Sequence, residues 1–376
     1  MAVTIAGDLV LWPHQAPGRG WIRVDDGQVT AVGDGRSDDP MAVIAPIIAP
    51  GFIDIHCHGG GRAEFTSADD EQIERAIATH RRHGTTTMNA SLVSATYDDL
   101  TRQIQALVPF VDAGTLHGIH LEGPWISEQY CGAHDPRTLR APDPEEVARM
   151  LDVGQGRIAM VTIAPELPGA VDSIRRIVAA GSVAAVGHTA ADADSTRAAI
   201  DAGATVATHL FNAMPPLLHR AAGPVGALLS DERVWPEIIC DGIHVEPEVV
   251  DLALAAAEGR GVLITDAMAA AGAADGDYRI GSLEVQVREG VARLASTGAL
   301  AGSTLTMDKA LRRTVRMAGR PLAGAAKAAS ATPAAILGLV DRGSLAAGQR
   351  ADVVVLDDDL QVERVMRGGE WVIRPH

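Results

Sequence analysis

Phe52-Ile53-Asp54-Ile55-His56-Cys57-His58 is an apolar run with ionisable groups gathered at its end, and residues 69–83 behind it place apolar positions at helical spacing. A short buried strand followed by an amphipathic helix is the repeating unit of a parallel sheet. The same unit recurs along the chain. Strand-like runs fall at 52–58, 86–93, 116–122, 158–164, 183–188, 205–210, 237–241 and 262–266. Helical patterns lie at 69–83, 97–111, 144–153, 170–180, 193–202 and 247–258, and one at 304–318 follows the eighth strand. Eight such units predict an α/β fold built on a (β/α)8 barrel of the TIM type. An open doubly wound sheet is the alternative. It normally carries G-x-G-x-x-G after its first strand, and Gly59-Gly60-Gly61 lacks that spacing. Residues 278–296 alternate polar and apolar around Arg288-Glu289-Gly290, which predicts a hairpin between the eighth strand and its helix.

The two ends read differently. Residues 2–32 and 351–373 are short alternating runs around Asp25-Asp26-Gly27 and Gly368-Gly369. Neither is long enough to bury a core alone. They are expected to pair into a small β-sandwich domain of 1–48 plus 342–376, leaving 49–341 to the barrel.

Composition narrows the function. Apolar residues make up 47% of the 376, enough for a large core and too many for global disorder. A formal net charge of -16, with only three Tyr and four Phe, argues against nucleic acid and anionic membrane as partners. An anionic small substrate held by local cations remains open. Cys57, Cys131 and Cys240 are odd in number and form no C-x-x-C pair, so neither a disulfide framework nor a thiolate zinc site is expected, and a reducing cytoplasm is. Residues 1–12 show no basic-then-apolar leader pattern. No run of about 20 apolar residues predicts a membrane span, since 322–340 is broken by Gly324, Lys327, Pro333 and Gly338.

Six of the eight strands end in ionisable groups: His56 and His58, Glu122, His188, His209, Asp241 with His244, and Asp266. Barrel enzymes draw their catalytic groups from these C-terminal ends. Side chains at i and i+2 of a strand share a face, so His56 and His58 both enter the barrel mouth while Cys57 points to the helices. Taken singly, His188 and His209 read as core histidines, Glu122 as a cap or ion-pair partner, and Asp266 as a helix cap. Taken together, buried and without thiolates, they read as a site for Zn²⁺ or another first-row divalent ion.

Several strings carry a family resemblance. Pro50-Gly51-Phe52-Ile53-Asp54-Ile55-His56-Cys57-His58-Gly59 resembles the first metal strand of the amidohydrolase superfamily. His120-Leu121-Glu122-Gly123-Pro124-Trp125, Gly187-His188-Thr189, Thr208-His209-Leu210-Phe211-Asn212-Ala213-Met214, Asp241-Gly242-Ile243-His244, Thr265-Asp266-Ala267-Met268 and Leu300-Ala301-Gly302-Ser303 narrow it to the N-acetylglucosamine-6-phosphate deacetylase family. The resemblance runs in order from about residue 2 to residue 372. It implies a metal-dependent barrel hydrolase that cleaves the acetamide of N-acetyl-D-glucosamine 6-phosphate to glucosamine 6-phosphate and acetate, in amino-sugar catabolism or cell-wall recycling. It implies that Glu122, His188 and His209 hold one metal, most simply Zn²⁺, and that His56 and His58 can hold a second with Glu122 bridging and Asp266 at the site. Asp266 is the implied acid/base. His134, His244, Asn212, Ala213, Ala133, Leu300, Ala301 and Gly302 are the implied substrate contacts. Arg220 is the implied phosphate ligand, reaching into the neighbouring subunit of a homodimer. Other amidohydrolases acting on a galactosamine isomer or a cyclic amide are the enzymatic rivals, and a barrel that has lost catalysis is the non-enzymatic one. Cys131 reads either as a loop residue or as part of a lid, and Trp125 either as pocket wall or as core.

Overall fold

The computed structural model describes residues 2–10 and 17–373. Met1, Leu11 and Trp12, part of the stretch read for a leader, lie outside the described residues. Eight strands form one parallel sheet in sequence order: β1 (Phe52–Asp54), β2 (Thr85–Val93), β3 (Gly118–Glu122), β4 (Ile158–Ile163), β5 (Val183–Val186), β6 (Val206–Ala207), β7 (Trp235–Ile239) and β8 (Val262–Ile264). Closure comes just past the last rungs. Cys57 and Ala267 form a parallel bridge, and the Asp266 amide donates to the His56 carbonyl at 2.9 Å. The sheet is a (β/α)8 barrel.

Eight helices follow the strands: α1 (Asp70–Arg82), α2 (Tyr97–Asp112), α3 (Pro144–Val153), α4 (Ala170–Ala179), α5 (Ala193–Asp201), α6 (Gly223–Ser230), α7 (Pro247–Ala256) and α8 (Met307–Arg316). Side-chain oxygens start four of them: Asp69, Thr96, Asp143 and Asp192 each accept a hydrogen bond from an amide in the first turn. β2 is buried along its whole length, as a strand covered on both faces must be.

Four elements depart from the expected pattern. β1 and β6 are shorter than their apolar runs. In β1 the Asp54 carboxylate takes the His56 amide at 3.3 Å, and the chain leaves the ladder there. α6 was not legible, because Gly223, Pro224 and Gly226 hide it behind residues that disfavour helix interiors. The insertion before α8 is a three-stranded meander of Gly276–Ile280, Leu283–Arg288 and Val291–Leu294 rather than a hairpin, with Gly281 at positive φ making the extra turn.

The chain ends build one seven-stranded sheet, so the expected β-sandwich is realised as a single hydrogen-bonded sheet. Val43–Pro50 is its central splice. It pairs parallel with Val3–Leu9 and antiparallel with Val353–Leu356, joining the N-terminal strands to the C-terminal ones. Alternation then divides the side chains. Val353 and Val355 enter a core with Ile5, Ile22 and Ile48, while Val354 and Leu356 pack into the core of the barrel. Among the described residues no helix is long and apolar enough to cross a membrane.

Candidate active site

The ionisable strand ends converge at one mouth of the barrel. Glu122 is the last residue of β3. His188, His209 and Asp266 each stand two residues beyond a strand end, with φ of 48°, 28° and 46°. Left-handed backbone at a non-glycine residue costs on the order of 1–3 kcal/mol and persists where the surroundings over-determine it. Here it turns three side chains from the sheet into the mouth.

The polar atoms form two triangles that share Glu122. In one, Glu122 Oε1 lies 3.1 Å from His188 Nε2 and 3.0 Å from His209 Nε2, and the two nitrogens are 3.0 Å apart. In the other, His56 Nε2 and His58 Nε2 are 3.2 Å apart, and Asp266 Oδ1 lies 3.5 and 3.3 Å from them. Glu122 closes on this second set too, with Oε1 at 3.4 Å from His56 and Oε2 at 3.2 Å from His58. Ligands held ~2.0–2.1 Å from a tetrahedral ion stand ~3.3 Å apart, so both triangles have the spacing of a cation's donor set. Electrostatics point the same way. Burial would raise the pKa of Glu122 and Asp266, but the imidazoles around them hold Glu122 well below the carboxylate range and Asp266 at about 2. Burial also opposes protonation of His58, yet Asp266 and Glu122 raise its pKa to about 9. Two buried carboxylates here demand positive charge, and a divalent ion is the donor-matched way to supply it. The residues fit a metal.

His134 differs from its neighbours in kind. Its Nδ1 accepts the Ser94 amide at 3.1 Å, so the proton of the neutral ring sits on Nε2, which is 3.3 Å from Glu122 Oε2. Burial, with His188 beside it, pushes its pKa down to about 4. His134 is thus a neutral N–H donor facing the cluster. His244 has the opposite character. Burial works against its protonation, but the Asp241 carboxylate, 2.7 Å from Nδ1, raises its pKa.

A buried polar layer orients the rings. His56 Nδ1 donates to Glu237 Oε2 at 3.1 Å, and the same oxygen accepts the His209 amide at 3.0 Å. His188 Nδ1 donates to the Tyr130 carbonyl at 2.8 Å. Beneath them, His120 bonds Ser91 and Thr162, and Thr265 bonds Asp54. Spacing alone does not single out Glu237. The available signal is a carboxylate in the middle of an apolar strand, Trp235-Pro236-Glu237-Ile238-Ile239.

A pocket of about 370 Å³ opens over the triangles, lined by His58, Glu122, His188, His209 and Asp266. Of the substrate contacts expected from sequence, Ala133, His134, Asn212, Ala213, His244, Leu300 and Gly302 line it as well. His56 lies fully buried behind them. Ala301 does not line the pocket. Its amide bonds the Ala292 carbonyl, and its side chain packs in the core of the inserted meander. Arg220 is exposed and outside the lining of this chain's own pocket. Cys131 is half-buried beside the wall without lining it. Trp125 is a fully buried core residue.

The amidohydrolase family model matches residues 47–372. The chain belongs to the amidohydrolase family. This amidohydrolase is 37% identical over 365 residues to the N-acetylgalactosamine-6-phosphate deacetylase of Escherichia coli O157:H7, covering 93% of this chain and 95% of that protein. It is 37% identical over 343 residues to the N-acetylglucosamine-6-phosphate deacetylase of Danio rerio, covering 87% and 85%. Its fold matches a variant of the N-acetyl-D-glucosamine-6-phosphate deacetylase of Mycobacterium smegmatis, solved in complex with N-acetyl-D-glucosamine-6-phosphate. The TM-score is 0.95 at 48% identity over 99% of both chains.

Proposed function

We propose that this amidohydrolase is a divalent-metal-dependent deacetylase that hydrolyses N-acetyl-D-glucosamine 6-phosphate to D-glucosamine 6-phosphate and acetate. The observation that carries the reading is the pair of donor triangles joined by Glu122, with Asp266 on the pocket side. Glu122, His188 and His209 would hold one ion, and His56, His58 and Asp266 with Glu122 a second. Zinc is the ion that best suits imidazole and carboxylate at this spacing. A divalent ion supplies Lewis acidity, polarising an amide carbonyl and acidifying water at neutral pH.

The residues of the chain do the rest. Asp266, ionised at neutral pH, accepts a proton from the attacking water as its oxygen bonds to the acetyl carbon. The same carboxyl then gives that proton to the sugar nitrogen as the C–N bond breaks, leaving acetate and the free amine. His134 offers its Nε2 hydrogen to the developing oxyanion at the carbonyl oxygen, and it can do so because it stays neutral and protonated on that atom. His244 and Asn212, with the wall of Ala133, Ala213, Leu300 and Gly302, orient the sugar. Arg220 is the phosphate ligand of this reading. In this proposal it serves the site of a second copy in a homodimer, a role with which its exposure and its place outside the lining of its own pocket agree. Ala301 supports Leu300 and Gly302 from behind. The division into a catalytic barrel of 49–341 and an outer unit of 1–48 plus 342–376 belongs to the same proposal, as does a cytoplasmic location.

The Escherichia coli relative supports a second reading in which the galactosamine epimer is the substrate. Acetate release from N-acetylglucosamine 6-phosphate, N-acetylgalactosamine 6-phosphate and unphosphorylated N-acetylglucosamine separates them. The proposal expects the first to have the highest kcat/KM and the unphosphorylated sugar to lose at least a hundredfold. Preference for the galactosamine epimer moves the assignment to the second reading, and indifference to the phosphate removes Arg220 from it.

A further inference from the structure

We propose that a cavity at the end of the barrel opposite the active site binds a phosphate-type oxyanion through Arg342, Arg350 and Arg367. The cavity measures about 170 Å³ and is lined by these three arginines with Thr87, Thr115 and His117. Its place in the fold is the N-terminal mouth of the strands: Thr87 stands near the start of β2, and His117 directly precedes β3. Arg367 ends a strand of the outer sheet and Arg350, bridged to Gln28, stands three residues before another, so the cavity is a joint between that sheet and the barrel.

Charge at the joint is unbalanced. Arg81 lies beside the same joint, its Nη2 3.3 Å from the Thr115 carbonyl. Four guanidinium groups therefore meet two nearby carboxylates, Asp341 and Asp352. Asp341 is half exposed and bonded to Arg342 at 2.8 Å, which weakens its reach. Asp352 is buried and bonded to Arg350 Nε at 3.2 Å, and burial raises its pKa. Some arginine donors have structural work. Arg367 bonds the Thr86 and Gly114 carbonyls, and Arg342 bonds Thr87 Oγ1 at 3.2 Å. Among the described residues the Arg350 side chain bonds Asp352 through Nε, and its guanidinium is packed over Gly368, where an added Cβ would lie 3.5 Å from Nε and 3.7 Å from Nη2.

The neighbours register this excess. Burial, then Arg81 and Arg350, push the Arg367 pKa down to about 10. Burial and Arg350 lower that of Arg81, and burial and Arg342 lower that of His117. A half-buried cluster of like charges in a protein of net charge -16 is relieved by an anion, and guanidinium forks match a tetrahedral oxyanion best. Inorganic phosphate and the phosphate of a sugar phosphate share that chemistry. The inference does not depend on the deacetylase reading.

The test is calorimetric titration of the metal-loaded full chain with inorganic phosphate and, separately, with glucosamine 6-phosphate. Wild type is compared with Arg350→Gln and Arg342→Gln. The expected result is a phosphate-binding event whose Kd rises at least tenfold in both variants, while kcat/KM for deacetylation stays within twofold. The event appearing with inorganic phosphate alone assigns a free anion, and its appearance with both ligands assigns a phosphoryl group in general. Phosphate binding unchanged in both variants overturns the proposal. If one variant fails to fold, the other decides. Anomalous density for tungstate in crystals of the wild-type protein gives an independent reading, and absence of tungstate from the three arginines counts against the site.

Discussion

Asp266 and Glu237 are two buried carboxylates that do different work, and single substitutions separate them. Replacing Asp266 with Asn keeps the shape and removes the proton acceptor. The expected loss is ~10²–10⁴ in kcat with a modest change in KM, the range of a positioned acid/base. A variant within tenfold of wild type in acetate release would exclude Asp266 from proton transfer. Glu237 does not line the pocket. It fixes the His56 ring through Nδ1 and the His209 backbone through its amide. Glu237→Gln is therefore expected to loosen zinc by roughly 10–100-fold in a competition titration with a chelator, whatever it does to turnover. Unchanged zinc affinity would make Glu237 a packing residue. At this scale the sequence is informative where chemistry is written in strand-end pairs such as His56 and His58. It is silent where chemistry depends on an acceptor elsewhere. The protonation of His134 is decided by the Ser94 amide, forty residues away, and no spacing rule encodes that.

Elements decide how firmly these groups are held. α1 carries His80 against the strand end that bears His56 and His58, where its ring nitrogen meets the Gly59 carbonyl at 2.8 Å and the Cys57 sulfur at 3.2 Å. Burial pushes the His80 pKa down to about 4, against 6.5 for a free ring. The unfolded chain therefore binds the proton more readily between those values. The contribution of His80 to stability is complete above pH 6.5 and is lost as pH falls toward 4, by about 3 kcal/mol in all. Urea unfolding of wild type and His80→Gln between pH 7 and pH 5 checks this: the variant should show the shallower decline. Parallel pH profiles would mean that His80 titrates normally in the fold. Most elements are legible because buried strands and amphipathic helices have different periods. The exceptions have local causes. α6 begins with Gly223 and Pro224, and the first strand of the inserted meander is turned into the second by Gly281 at positive φ. β1 stops at Asp54 although the apolar run continues, because the side chain of Asp54 takes the backbone amide of His56.

At the scale of the whole molecule, Val3–Leu9 and Val353–Leu356, more than 340 residues apart in sequence, meet through Val43–Pro50, and Val354 and Leu356 pack from this sheet into the core of the barrel. The end segments announce strands, but their order in the sheet is set by long-range pairing that alternation does not specify. Assembly is the next level. If Arg220 serves a neighbouring site, inactive chains of two kinds should rescue each other. Mixing Asp266→Asn with Arg220→Ala through unfolding and refolding gives half hybrid dimers, each with one intact site, so about a quarter of wild-type activity should return. No rescue in a demonstrated hybrid would place Arg220 in its own subunit's site or outside catalysis. The central claim is that the two triangles bind a divalent ion that hydrolysis of the sugar acetamide requires. Its most direct test is acetate release from N-acetylglucosamine 6-phosphate by protein stripped with chelator and then titrated with zinc. Activity that disappears on stripping and returns in step with one or two zinc ions per chain is the predicted result; full turnover by metal-free protein would contradict the account.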